Sequence, residues 1–326
     1  LPTMAQAPNT NIGDYVKAGL IIPFKLPQAT LAKVYPSFLA GGQYLDQQYG
    51  LPYAISTQVL FVNTDLVKQY HLSIPKTWAD VEKIGPALAH DGVATIALDA
   101  SYDVALESMA HEAGSPLITA AGKANLASKQ TLAQVGRLLA LRKAGILSTA
   151  GSDGYFSTAF FNQKAVFGIA SSASIPVIEA QAPKSLHWTT AQIPSVKGSH
   201  QGVLNGSYNV VFKSASKAQL AGAKAFQTFL LKPKPAAYWA EKSGYVPVTP
   251  AAVQSQAYRK FLADNIGFKA AVSASANSFA STVFAGYGDY RNALLATVDA
   301  TLTKHVDGDT AFKALQSKTE KILADN

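Results

Sequence analysis

The chain has 326 residues, more than one ordinary hydrophobic core accommodates, so two domains are expected. Apolar residues make up 48% and charged ones only 15%, which excludes general disorder, and the absence of cysteine excludes disulfides, zinc–thiolate sites and thiol catalysis. The net charge of +8 comes from lysines such as Lys68, Lys83, Lys123, Lys143, Lys217, Lys260 and Lys318, scattered over stretches that read as solvated helix faces. No dense Lys/Arg run with interleaved aromatics offers a nucleic-acid platform; a weak attraction to anionic lipid or cell-surface polymers is the lesser reading of the charge.

In chain order, Leu1-Pro2-Thr3-Met4-Ala5 shows no charged leader or cleavage site, so no signal peptide is visible, as in a mature secreted chain. Ser56–Val62 reads as a strand. Thr77 then caps a helix carrying Trp78, Val81 and Ile84, which Pro86 is expected to kink or end. Strand Thr95–Leu98 follows. Thr131–Ala144 sets Leu132, Val135, Leu138 and Leu139 on one helix face and stops at Gly145, a C′ glycine. Short apolar runs at Ala165–Ile169, His187–Ile193 and Tyr208–Phe212 read as further strands. Ser216 and Gln219 have capping-box spacing, and Leu220, Ala223, Phe226, Phe229 and Leu230 continue that helix to Pro233. A last helix from Asp309 turns Phe312, Leu315, Ile322 and Leu323 inward. Alternating strands and helices predict an α/β fold, with no solenoid repeat and no apolar run approaching the ~18 residues that cross a bilayer.

Catalytic signatures are missing. No HExxH, GxSxG or GxxxxGK[ST] pattern occurs, and His90-Asp91 and His111-Glu112 are neighbours whose side chains do not face each other on a helix. Histidines 71, 90, 111, 187, 200 and 305 lack ligand spacing, so neither a metal nor a cofactor is expected. Asp99, Asp103, Glu107 and Glu112 form the one local acidic group and keep open a secreted glycan-active enzyme. A surface adhesive exploiting the charge is a third class. Of the tyrosines and tryptophans at 44, 49, 53, 102, 188, 208, 239, 245 and 287, many sit beside Gly, Ser or Asn, and flat aromatic faces near hydroxyls and amides suit sugars or polyols.

Three segments bring a family into view. Tyr49-Gly-Leu-Pro-Tyr-Ala-Ile-Ser-Thr-Gln-Val-Leu-Phe-Val-Asn-Thr-Asp65 resembles the first interlobe crossover of family 1 extracellular solute-binding proteins of bacterial ABC importers. Gln201-Gly-Val-Leu-Asn-Gly-Ser-Tyr-Asn-Val-Val-Phe212 resembles the returning crossover, and Ala240-Glu-Lys-Ser-Gly-Tyr-Val-Pro-Val-Thr-Pro250 the loop after it. Pro75-Lys-Thr-Trp-Ala-Asp80 is similar to the family's entry to a helix. The likeness is nearest to the maltose-type and glycerol-3-phosphate/glycerophosphodiester-type subgroup.

The resemblance implies a two-lobed fold, one lobe from residues 1–55 plus 202–285 and the other from 56–201 plus 286–326. The lobes would close on a solute and deliver it to a membrane permease outside the cytoplasm, as a monomer. Family members ordinarily carry a strand–helix–strand unit before the segment that Leu1–Gln6 matches, so roughly 60 residues are expected upstream. Ser56 and Thr57 match hydroxyl residues of the first crossover, and Asn205 and Gly206 the second. Ser171 and Ser172 match a turn whose backbone N–H groups hold a ligand oxygen. Tyr245 matches a cleft-facing aromatic, and Tyr102 and Asp103 lie near a stacking position, with a helix-cap role for Asp103 equally open. Tyr287 and Arg291 are late contacts. Arg291 matches a helix-borne arginine rather than the phosphate-subgroup arginine, whose place here reads Asn277-Ser-Phe-Ala-Ser-Thr-Val-Phe284. Without that forked donor, a neutral sugar or polyol is at least as well supported as a phosphodiester.

Overall fold

The computed structural model describes residues 1–304 and 306–326; His305 lies outside the described residues. Twelve strands run in chain order among them: β1 Met4–Pro8, β2 Ile21–Ile22, β3 Gln43–Tyr44, β4 Gln47–Gln48, β5 Gly50–Ser56, β6 Gln58–Asn63, β7 Ala94–Leu98, β8 Leu147–Ser148, β9 Ala165–Ser171, β10 Trp188–Ala191, β11 Val203–Phe212 and β12 Phe279–Ala280. Two five-stranded sheets organise them. In one, the long β11 lies antiparallel to β1, β2 and β5 and parallel to β12. In the other the order is β10-β6-β9-β7-β8, with β7 parallel to both β8 and β9. β3 and β4 form a separate hairpin.

The strand expected over Ser56–Val62 is in fact the junction of two. β5 takes β11 as its partner and β6 takes β9 and β10, so hydrogen bonding changes sheet at Thr57. A second passage between the sheets leads into β11, and a third connects β12 to the helix Tyr287–Thr303. Near this third passage Gly286 N–H donates to Asp14 Oδ1 at 2.6 Å.

Several helices begin where local chemistry demands. Thr77 and Asp80 form a reciprocal capping box, with Asp80 N–H donating to Thr77 Oγ1 (3.1 Å) and Thr77 N–H to Asp80 Oδ2 (2.9 Å). This is the physical content of the Pro75–Asp80 motif. Pro86 does not end that helix, which continues to His90. The helix expected from Thr131 begins at Lys129, because Ser128 accepts from Thr131 N–H at 3.1 Å; Gly145, at φ 70°, follows its end as anticipated. Ser216 and Gln219 close their capping box, and Asp307 caps the terminal helix Gly308–Asp325. Asn63 caps Thr64–Gln69 by accepting from Asp65 and Leu66 N–H, while the Asp65 carboxylate accepts from His187 N–H. That explains the Asn63-Thr64-Asp65 end of the first crossover motif.

β6 is buried on both faces, and its side chains alternate between two apolar clusters. Leu60 and Val62 join Trp78, Ile96, Leu106 and Tyr290; Val59 and Phe61 join a cluster that includes Leu51, Ile55, Tyr208 and Val210 of the other sheet. The helix Lys269–Ser275 packs against β6 and β10, and Thr190 Oγ1 donates to the Gly267 carbonyl.

Candidate functional site

A cavity of about 160 Å³ opens where the crossovers meet the carboxyl ends of the parallel strands β7 and β9. Open α/β sheets offer ligand sites at such strand ends. Leu98 lines it from the end of β7 and Asp99 from just beyond; Ile169, Ala170 and Ser171 from the end of β9; Gln58 from the start of β6; Asn205 from β11. Ser101, Val104 and Ala105, at the start of the helix Tyr102–Glu112, complete the wall with Arg291.

Charge in this cavity is uneven. Arg291 Nε donates to Asp103 Oδ2 at 2.8 Å, with Asp103 almost wholly buried and the arginine side chain 42% exposed. Burial raises the Asp103 carboxyl from its ordinary value, opposed by Arg291, and its Oδ1 has no hydrogen-bond partner. Asp99 accepts from Phe156 N–H at 2.7 Å through Oδ1, and burial pushes its carboxyl up to about 6. Among the described residues Asp99 forms no ion pair. On the helix Tyr102–Glu112, burial raises Glu107 to about 7 against the opposing hydrogen bond of Ser281.

The expected site residues divide. Ser171, Asn205 and Arg291 line the cavity together. Asp103 stands behind it and fixes Arg291. Ser56 is buried and its hydroxyl donates to the Asn205 carbonyl (3.3 Å). Thr57 is also buried: its N–H donates to Ser172 Oγ (3.4 Å) and its hydroxyl pairs with Ser278 Oγ (2.7 Å). The Ser56 hydroxyl thus ties the first crossover to β11, and the Thr57 hydroxyl ties it to the segment before β12. A Cβ on Gly206 would overlap the Ala54 carbonyl oxygen, so the close approach there is by the neighbouring strand. Tyr102 is buried beside Thr149 and Ala150, and Tyr287 packs among Phe284 and Tyr290. Tyr245, half-buried, stacks on Trp239 (centroids 6.2 Å apart), and Trp239 stacks on Tyr53 at 4.8 Å.

Gln58, Asp99 and Ser101 line the cavity and are not among the expected site residues. The signal for Asp99 was its place directly after a predicted strand of a parallel sheet. Gln58 accepts from Ser108 Oγ at 2.7 Å, which fixes its amide at the cavity wall.

The acidic group also resolves residue by residue. Glu112 accepts from Ser195 Oγ, Val196 N–H, Ser199 Oγ and Gln201 N–H (2.5–2.9 Å), so both its oxygens are used to hold the segment leading into β11. With Asp103 on Arg291 and Glu107 on Ser281, these carboxylates do not form a free pair astride a substrate bond. No group of three or more His, Cys, Asp or Glu suited to a metal occurs among the described residues.

The profile of the bacterial extracellular solute-binding protein family matches residues 1–265. The chain belongs to that family. Its relatives include the sn-glycerol-3-phosphate-binding periplasmic protein UgpB of Shigella flexneri and of Escherichia coli K12, each 27% identical over 248 residues, or 69% of this chain and 56% of the relative. The chain thus matches little more than half the length of these relatives. Among solved structures, the cyclic alpha-maltosyl-1,6-maltose binding protein of Arthrobacter globiformis superposes with a TM-score of 0.89 at 19% identity, covering 100% of this chain and 85% of that one. UgpB of Mycobacterium tuberculosis, in complex with glycerophosphocholine, gives 0.85 at 18% identity, covering 100% and 84%. These family folds bear out the two-lobed α/β architecture, and members of the family bind solutes rather than transform them.

Proposed function

We propose that the chain is the extracytoplasmic solute-binding subunit of an ABC importer and that it takes a neutral sugar or polyol into the cavity at the crossovers. The lobes of this reading are residues 1–55 plus 202–285 and residues 56–201 plus 286–326, closing about the crossovers and presenting the closed form to a membrane permease. The observation that carries the ligand class is the charge of the cavity wall. Its one cation, Arg291, is already bonded to Asp103, while the Asp99 carboxylate has no cation beside it. An incoming phosphate would face an uncompensated carboxylate, whereas sugar hydroxyls donate to it directly. Gln58, Ser101, Ser171 and Asn205 add neutral donors and acceptors. A glycerophosphodiester is the second reading, supported by the UgpB relatives and by the start of the helix Tyr102–Glu112 at the cavity, where free N–H groups favour an anion.

A thermal-shift screen with sugars, polyols and glycerophosphodiesters tests both, because a ligand bound only by the native state raises the melting temperature. A shift with neutral polyols alone supports the first reading and a shift with phosphodiesters alone the second. Turnover of a glycan with no shift by any solute would overturn the binding function itself.

A further inference from the structure

The helix Lys217–Leu230 carries an apolar stripe on the wrong side. Its inner face is fixed by Ala223 and by the buried Gln227, whose amide donates to the Pro52 carbonyl and accepts from Asn209. On the outer face, Ala218, Gly222, Ala225 and Phe229 follow one another at spacings of four, three and four residues, with Phe226 beside them, and all are exposed. Such spacing ordinarily marks the side of a helix that packs on a core. Here Phe226 and Phe229 stay 49% and 50% exposed. The stretch from Lys213 to Ala240 holds five lysines and no acidic residue or arginine. The next helix, Pro233–Ser243, sets Lys234, Tyr238 and Lys242 at four-residue spacing, all exposed, with Tyr238 at 62%.

We propose that this outer face is a docking surface for an anionic lipid leaflet. Aromatic rings on an exposed helix face, framed by long lysine stems, are the composition of an interfacial helix: the rings enter the acyl–headgroup boundary while the ammonium groups meet lipid phosphates. A protein partner fits less well, because protein interfaces favour arginine and are depleted in lysine. A second copy would oppose the same lysines with like charge. A soluble polyanion would satisfy the lysines and leave the rings in water. Contact through this face would hold the first-sheet side of the molecule against the membrane.

Flotation of the full chain with liposomes tests this, comparing phosphatidylcholine alone with an equal mixture of phosphatidylcholine and phosphatidylglycerol. Binding is expected to the mixed vesicles only. Each of Lys217→Gln and Lys224→Gln should weaken it about fivefold, and Phe226→Ser/Phe229→Ser together by about tenfold or more. All these variants should melt as the parent does, since the side chains replaced are outside the core. Lys68→Gln/Lys83→Gln, exposed lysines on other helices, should bind as the parent does. The proposal fails if neither vesicle is bound, if pure phosphatidylcholine is bound equally, if the serine pair changes nothing, or if the Lys68/Lys83 pair weakens binding as much as Lys217→Gln and Lys224→Gln.

Discussion

Replacing Asp99 with asparagine separates a residue kept for its ligand from one kept for the fold. The folded carboxyl is pushed from 3.8 to about 6, chiefly by burial. Its charged form is thus disfavoured in the native state by about 2 pK units, or about 3 kcal/mol at about 1.4 kcal/mol per unit; partial solvent contact reduces this to about 1–2 kcal/mol. The cost is absent below pH about 4, where folded and unfolded states are both protonated. It accrues as the pH rises from about 4 to about 6 and is constant above. Asparagine keeps the acceptor for Phe156 N–H and loses the charge. Asp99→Asn should therefore raise the free energy of unfolding by about 1–2 kcal/mol at pH 7.5, with the gain vanishing near pH 4, as read by urea denaturation. Hydrogen bonds to a charged group contribute about 1.5–3 kcal/mol, so solute affinity should fall roughly ten- to a hundredfold by calorimetry. The parent's affinity should likewise drop as the pH falls through about 6. A variant with parental stability and parental affinity at pH 7.5 would refute the reasoning.

Other substitutions probe the surrounding frame. Arg291→Met leaves a buried Asp103 without its partner and should cost about 2 kcal/mol at neutral pH, a loss that shrinks in acid as Asp103 takes a proton; Asp103→Asn in the same chain should restore most of it. Glu112→Gln cannot accept from four donors at once and should destabilise by about 1–3 kcal/mol, with faster amide exchange at Val196 and Gln201. Gly206→Ala drives a methyl into the Ala54 carbonyl and should cost about 2 kcal/mol or more in denaturant; a neutral alanine would show that β5 and β11 can move apart there.

Much of the frame was legible because local chemistry wrote it. The Thr77–Asp80 and Ser216–Gln219 boxes, the glycine after Lys143 and the apolar strands are short-range signals, readable wherever they occur. The cavity was less legible because its wall gathers positions as far apart as Gln58, Asp99, Asn205 and Arg291. At the crossover the hydroxyls of Ser56 and Thr57 drew attention, yet it is Gln58 that lines the cavity. Ser56 and Gln58 lie two residues apart but on different strands, with the sheet changing at Thr57, so strand alternation does not carry from one to the other. Gly206 was expected at the second crossover as a site residue; the group that approaches its backbone is the Ala54 carbonyl of the neighbouring strand, which sequence alone does not reveal. Pro86 does not end its helix because the packing of Trp78, Val81 and Leu88 outweighs one missing backbone donor.

β6 has a consequence for how the molecule comes apart. Val59 and Phe61 belong to one apolar cluster and Leu60 and Val62 to the other, so loss of β6 would strip apolar partners from both clusters at once. β6 and the clusters on its two faces therefore form one cooperative unit, and calorimetry should record them melting in a single transition. A motion of one sheet against the other that spares β6 would bend the chain at its margins and leave the strand between the two clusters as a common keel.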